Sequence, residues 1–249
     1  MKPDRIDLIE IFSSIQGEGV HIGRRQLFIR LCGCNLCCAY CDTPAEPCGF
    51  CRVETDPERG EISPIPNPVS HDQLVDIVSR MVLSSPHLHH AISITGGEPL
   101  CQTERLLPLL PRLSALLPLL LETNGTLPDR LLQTIDHLSV VSMDLKLAST
   151  TGVETHWELH ERFLEIASRK EVYVKLVVNA LTTPREVERG AELLQRHSPA
   201  SPLILQPEST PRDDRRIGGR ALLMLQRIAA AIHPDVRVIP QTHRIIGVA

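Results

Sequence analysis

Six apolar runs of strand length, separated by stretches with helical periodicity, constrain this chain more than any other feature. They are LFIRL (27–31), AISIT (91–95), LLLET (119–123), LSVVSMDL (138–145), VYVKLVV (172–178) and PLILQP (202–207). Several lack strict alternation, as do strands covered on both faces of a parallel sheet. The clearest helix is predicted over 71–82, where Ser70 and Gln73 can form a capping box and Leu74, Ile77, Val78 and Met81 share one face. Further helices are expected near 102–116, 128–135, 155–168, 184–197 and 219–232. Strands alternating with helices imply right-handed βα crossovers. A complete eight-stranded barrel needs about 250 residues with none to spare. This chain of 249 residues spends about 42–68 on a Pro- and acid-rich insertion without periodicity. The expected fold is α/β, a partial TIM-type barrel of about six βα units, in a single domain over 1–249 with an irregular insertion.

The segment RLCGCNLCCAYCDTP (30–44) holds five of the eight cysteines within ten residues. A chain this long buries enough apolar surface to need no covalent staples. The opening MKPDRIDLIE carries two acids and two bases in its first seven residues, and no apolar run reaches the roughly 18 residues of a membrane span. The expectation is a cytoplasmic protein with no membrane partner. In that compartment clustered cysteines point to metal or redox chemistry rather than to disulfides. The net charge of −4 gives no general pull toward nucleic acid.

Three readings of the cysteines stand side by side. Cys34, Cys38 and Cys41, spaced C-x3-C-x2-C, suit three irons of a [4Fe-4S] cluster, leaving the fourth iron open to a small molecule. Cys38, Cys41, Cys48 and Cys51, spaced C-x2-C-x6-C-x2-C, could instead close a tetrahedral zinc site. Some could simply be small buried hydrophobes, with Cys32 and Cys37 the expected bystanders. The six-residue gap is short for a zinc ribbon, and the loop follows the first strand at the carboxyl end, where βα folds place their sites.

The same loop, with Tyr40 before its last cysteine and TGGEP (95–99) one strand later, resembles the signature of radical S-adenosylmethionine (radical SAM) enzymes. More narrowly, EIFSSIQGEGVHIGRRQLFIRLCGCNLCCAYCDTP (10–44), LILQPES (203–209) and RVIPQTHRIIG (237–247) are similar to the 7-carboxy-7-deazaguanine synthase family. That resemblance implies a radical SAM core and a lyase acting in queuosine and deazapurine biosynthesis. The implied reaction is cleavage of SAM by the reduced cluster, hydrogen abstraction at carbon 6 of 6-carboxy-5,6,7,8-tetrahydropterin, ring contraction and loss of ammonia. It further implies a flavodoxin or ferredoxin donor, Mg²⁺ as an additional cofactor, and a homodimer.

Carried onto this sequence, the resemblance gives Cys34, Cys38 and Cys41 to the cluster and Thr43 to Mg²⁺. Tyr40, Asp42, Gly96, Gly97, Glu98, Glu122, Ser142, Lys146 and Gln206 go to SAM, and Ile15, Gln16, Gly17, Glu18, Arg30, Thr95 and His243 to the substrate. Asn124 is also placed among cofactor contacts. From the residues themselves, Gln16 offers a paired donor and acceptor for a pterin edge. Arg30, in an otherwise apolar strand, needs an anion, either the substrate carboxylate or Glu18. Many members carry a shorter Ser-Pro-Lys where this chain has SMDLK (142–146), a departure that falls on Ser142 and Lys146. Lys175 either points into the barrel or is a strand-edge charge. HLHH (87–90) is expected to be a solvated turn. A glycyl-radical activase and a zinc-stabilised binding module are the competing functions; SIQGEG (14–19) and PQTH (240–243) speak against the former.

Overall fold

The computed structural model describes residues 4–41, 43, 49–209 and 213–248. Its strands are β1 (Arg5–Ile6), β2 (Leu8–Ile15), β3 (Arg25–Leu31), β4 (Phe50–Asp56), β5 (Glu61–Pro66), β6 (Val69–Ser70), β7 (Ile92–Gly96), β8 (Leu119–Thr123), β9 (Val140–Asp144), β10 (Glu171–Val178), β11 (Leu203–Pro207) and β12 (Val236–Val238). The helices are α1 (His71–Ser84), α2 (Thr103–Leu106), α3 (Leu110–Ser114), α4 (Pro128–Thr134), α5 (Ala148–Thr151), α6 (Trp157–Ala167), α7 (Pro184–His197), α8 (Gly219–Ala230) and α9 (Thr242–Ile246).

Strands β1 and β6 form a two-stranded ribbon, and the other ten form one sheet in the order β12-β11-β10-β9-β8-β7-β3-β2-β4-β5. From β3 to β12 every neighbouring pair is parallel. This run is the partial barrel expected from the alternating apolar segments. β2 lies antiparallel to β3 and extends the sheet on its other side.

Side-chain alternation along these strands builds two cores. On β10, Val172, Val174, Leu176 and Val178 join the large cluster beneath the helices. Tyr173, on the opposite face, joins Ala91, Leu120, Val140 and Ile204 in a small inner cluster, with Val20 and Ile239 against it. Two residues further along the same strands come Ser93, Glu122, Ser142, Lys175 and Gln206, all but Glu122 buried. The barrel interior therefore changes from an apolar floor to a polar layer within one pleat repeat. Burying so many polar groups is tolerable only where they pair with one another or face a ligand.

Local chemistry sets the helix starts. Ser70 Oγ accepts from Gln73 N at α1, although only this half of the expected capping box is formed by a resolved bond. Thr183 and Glu186 make both bonds of a capping box at α7, with Pro184 in the first turn.

Four expectations change. The insertion is not irregular over 50–66, where β4 and β5 form a hairpin whose first strand runs parallel to β2. The period-two signal is short there: Cys51 and Val53 turn inward, and β5 carries Pro64 and Pro66, which suit an edge strand. The helix expected over 102–116 breaks into α2 and α3 because Pro108 and Pro111 each withhold a backbone donor. β2 had no counterpart among the predicted strands, since Glu10, Ser13 and Ser14 interrupt its apolar pattern. His89 of the HLHH run is buried rather than solvated, its Nε2 2.7 Å from Ser13 Oγ. Among the described residues, no helix is long and apolar enough to cross a membrane.

Candidate active site

The cysteine loop leaves β3 and lies against the TGGEP turn that follows β7. Gly97 N donates to Leu31 O at 3.0 Å and Glu98 N to Gly33 O at 2.8 Å. A Cβ on Gly97 would stand 2.2 Å from Gly33 O, so the two turns meet backbone to backbone. Gly96, at φ +136°, adopts a conformation suited to glycine. On the loop's far side Ala39 N donates to Thr151 O at 2.8 Å.

Cys34, Cys38 and Cys41 border one cavity that is open to solvent, with about 1060 Å³ of space including its mouth. Exposed Cys37 does not border it. Partial desolvation beside the cavity pushes the Cys34 and Cys38 thiols up, and the neighbouring thiols push the same way, while Lys146 opposes the shift at Cys38. Three thiol side chains on one rim suit a polynuclear centre held by thiolate ligands. Among the described residues, no three His, Cys, Asp or Glu side chains converge on a single-ion site. Cys51 is buried in the main core, where desolvation drives its thiol up to about 12. It is a hydrophobe, which removes the four-cysteine zinc site; Cys48 lies outside the described residues.

Behind the thiols runs a line of paired charges. Lys146 Nζ donates to Tyr40 Oη at 3.0 Å and to Asp144 Oδ2 at 2.8 Å. Asp144 Oδ1 is 3.0 Å from Lys175 Nζ, which also contacts Glu18, and Gln241 donates to the other Glu18 oxygen. Burial opposes charge here, but Lys146 and Lys175 outweigh it and hold the Asp144 carboxyl down at about 2. Burial likewise opposes the Glu18 charge, and Lys175 and Gln241 overcome it, keeping this carboxyl below the ordinary glutamate value. Lys175 thus points into the barrel. Asp144 and Gln241 were not singled out from sequence; for Asp144 the available signal was an inward position two residues before Lys146 on a strand end.

A second cavity adjoins the first, sharing Glu18, Arg30, Thr95, Glu122 and Gln241. Ile15, Gln16, Gly17 and His243 border it, so all seven residues assigned to substrate come together there. Phe12 and Phe28 stack along its wall, centroids 4.9 Å apart, with the Arg30 guanidinium 5.4 Å from the Phe12 ring centroid. Arg30 pairs with Glu10, not Glu18: its Nε donates to Glu10 Oε1 at 2.8 Å, and Arg52 shares that carboxylate. His243 packs on Gly17, where a Cβ would stand 2.1 Å from its Nδ1, and Thr242 N donates to Gly17 O at 2.9 Å.

Three assigned side chains behave differently from expectation. Gln16 Nε2 already donates to Gln26 Oε1 at 3.1 Å and Glu122 Oε1 at 2.9 Å, while Gln16 Oε1 accepts from Glu18 N. Its amide hydrogens and its oxygen are thus engaged by protein, and it shapes the wall rather than offering a free donor and acceptor. Ser142 is fully buried, bonded to the Tyr173 phenol and absent from both cavity walls. The cavity is bordered instead by Asp144, the last residue of β9, and by Lys146 just beyond the strand, two and four positions later. Glu98 is also fully buried: its carboxylate accepts from Leu100 N at 3.0 Å, Asn124 N at 2.7 Å and Thr123 Oγ1 at 2.9 Å. It therefore ties the turn after β7 to the end of β8 instead of facing a ligand. Tyr40, Thr43, Gly96, Gly97, Glu122, Asn124, Lys146 and Gln206 do border the first cavity; Asp42 lies outside the described residues.

Burial pushes the Glu98 carboxyl up to about 7, against the pull of those donors. A folded-state value above the unfolded 4.5 means that the native protein holds more protons between the two. Stability contributed by this group is present below about 4.5 and lost as pH rises toward about 7. Glu98→Gln removes the titration, so its stability relative to wild type should climb across that window by up to about 3 kcal/mol. Urea unfolding of both proteins across the window measures this; a constant difference would show a carboxylate ionised throughout.

The Radical SAM superfamily model matches residues 28–163. The chain is 44% identical over 242 residues to 7-carboxy-7-deazaguanine synthase of Geobacter sulfurreducens, covering 97% of each. It is 34% identical over 263 residues to the synthase of Methanothermobacter thermautotrophicus, covering 98% of each. Among solved structures, QueE from Escherichia coli shares the fold with a TM-score of 0.59 at 23% identity, over 96% of this chain and 95% of that one. TYW1 with a lysine-pyruvate adduct bound matches with a TM-score of 0.54 at 13% identity, over 83% of this chain and 73% of that one. With relatedness extending over nearly the whole length, this chain belongs to the 7-carboxy-7-deazaguanine synthase family of radical SAM enzymes.

Proposed function

We propose that this protein is a carbon–nitrogen lyase that converts 6-carboxy-5,6,7,8-tetrahydropterin into 7-carboxy-7-deazaguanine and ammonia, for queuosine or related deazapurine synthesis. The carrying observation is the pair of adjoining cavities, one rimmed by three thiols and the other walled by Phe12, Phe28 and Arg30. A [4Fe-4S] cluster with SAM, when bound, supplies the hydrogen-abstracting radical that no side chain of the protein can supply.

The chain's own residues bind, orient and shelter. Cys34, Cys38 and Cys41 would hold the cluster, and Tyr40, Gly96, Gly97, Lys146 and Gln206, which border the same cavity, would hold SAM, with Asp42 assigned by resemblance alone. Thr43 is the proposed Mg²⁺ ligand, an oxygen donor suited to a hard cation. Two guanidinium groups, Arg30 and Arg52, share the single Glu10 carboxylate. That surplus of positive charge favours the substrate carboxylate at Arg30. Phe12 offers a flat apolar face to the heterocycle. The segment carrying Thr242 and His243 closes on Gly17 and keeps water from the substrate. We further infer a cytoplasmic homodimer reduced by a flavodoxin or ferredoxin.

Anaerobically reconstituted protein given dithionite, SAM and the carboxytetrahydropterin should yield 7-carboxy-7-deazaguanine with stoichiometric ammonia. Protein with a full, SAM-responsive cluster that leaves the pterin unchanged would sink the substrate reading.

A further inference from the structure

We propose that Lys175 is a positioning residue of the reaction, holding the Glu18 carboxylate as a fixed, charged hydrogen-bond acceptor where the two cavities meet. This rests on the substrate class proposed above. Lys175 lies on the inward face of β10, one pleat above Tyr173, and its side chain is 5% exposed. Its ammonium meets Glu18 on one side and, at 3.0 Å, Asp144 on the other. Asp144 is braced in turn by Lys146 at 2.8 Å. Gln241 donates to the second Glu18 oxygen. Both oxygens of a carboxylate bordering both cavities are thereby pinned, each keeping lone-pair capacity for a further donor.

A reduced pterin carries several N–H donors and a single carboxylate. A neutral Glu18 would turn a donor toward those N–H groups, whereas the ionised group only accepts. The groups facing Glu18 are Lys175 and Tyr173 from β10, Asp144 from β9, and Gln241 and His243 from the C-terminal segment. Of these, Lys175 is the cation in contact with it. Asp144 pushes the other way, so without Lys175 burial and Asp144 together would favour the neutral acid.

The test uses cluster-loaded protein and three readouts: pterin Kd by equilibrium dialysis without SAM, the SAM-induced change in the reduced cluster's EPR spectrum, and the pH profile of kcat/KM. Lys175→Met should weaken pterin binding about tenfold or more and move the acid limb of kcat/KM up by about one pH unit or more, while the SAM response persists. Glu18→Gln/Lys175→Met, which strands no carboxylate at position 18, should keep the weak pterin binding. Unchanged affinity and pH profile in Lys175→Met would overturn the assignment. So would wild-type affinity in the double variant, or loss of the SAM response in both, since either marks a merely structural cation. Wild-type protein that neither binds nor converts the pterin would instead overturn the substrate class, an outcome visible before any variant is made.

Discussion

Replacing Cys34, Cys38 or Cys41 by Ala should abolish deazaguanine formation and SAM cleavage together, with iron per chain falling well below the wild-type value. Cys37→Ala, one residue from Cys38, should retain both activities and a full complement of iron. The contrast follows from placement: three thiols border the cavity and the fourth stands exposed outside it. A cluster bound by three thiolates cannot lose one and keep a single defined open iron. Stability offers the control. Cys34 and Cys41 are exposed on a loop, so their substitution in cluster-free protein should change unfolding free energy by no more than about 0.5 kcal/mol. Lost activity with unchanged cluster-free stability would assign the effect to ligation. An Ala variant at any of the three positions with normal iron and turnover would overturn the ligand set.

Why those thiols were legible and other residues were not is a matter of how each works. The cysteine spacing is local, so C-x3-C-x2-C can be read from one loop. The apolar runs of β7 to β11 are equally local, and the bounds of all five fall within two residues of those predicted. Glu98 misled because its sequence neighbours, Gly96 and Gly97, do border the cavity, while its partners Thr123 and Asn124 lie one strand further along the chain. Lys175 was ambiguous for the same reason. Only the register of β9 beside β10, which sets Lys175 opposite Asp144, gives it an inward partner. Charges that pair across a barrel leave no periodic trace in the sequence. The hairpin over 50–66 escaped detection through weak patterning, since two buried side chains, Cys51 and Val53, carry most of its inward face.

Gly97→Ala should disable the protein as thoroughly as a missing ligand, but through the scaffold. The added Cβ would lie 2.2 Å from the Gly33 carbonyl oxygen and 3.2 Å from Cys34 Cβ. The nearer obstacle is backbone, so no side-chain rotation relieves it. Either the turn after β7 or the cysteine loop must retreat. A retreat breaks the bonds from Gly97 N to Leu31 O and from Glu98 N to Gly33 O that join them. Overpacking of this kind costs about 1–3 kcal/mol, and each hydrogen bond lost adds about 1 kcal/mol. The variant should therefore unfold about 3–5 kcal/mol more readily in urea and take up little iron, because Cys34 moves with the loop. Gly219→Ala serves as the comparison: a Cβ there meets nothing within 4 Å at the first residue of α8. It should be neutral or stabilising by up to about 1 kcal/mol, with normal iron. If Gly97→Ala matched Gly219→Ala in both urea midpoint and iron content, the close meeting of the two turns would not be what positions the thiols.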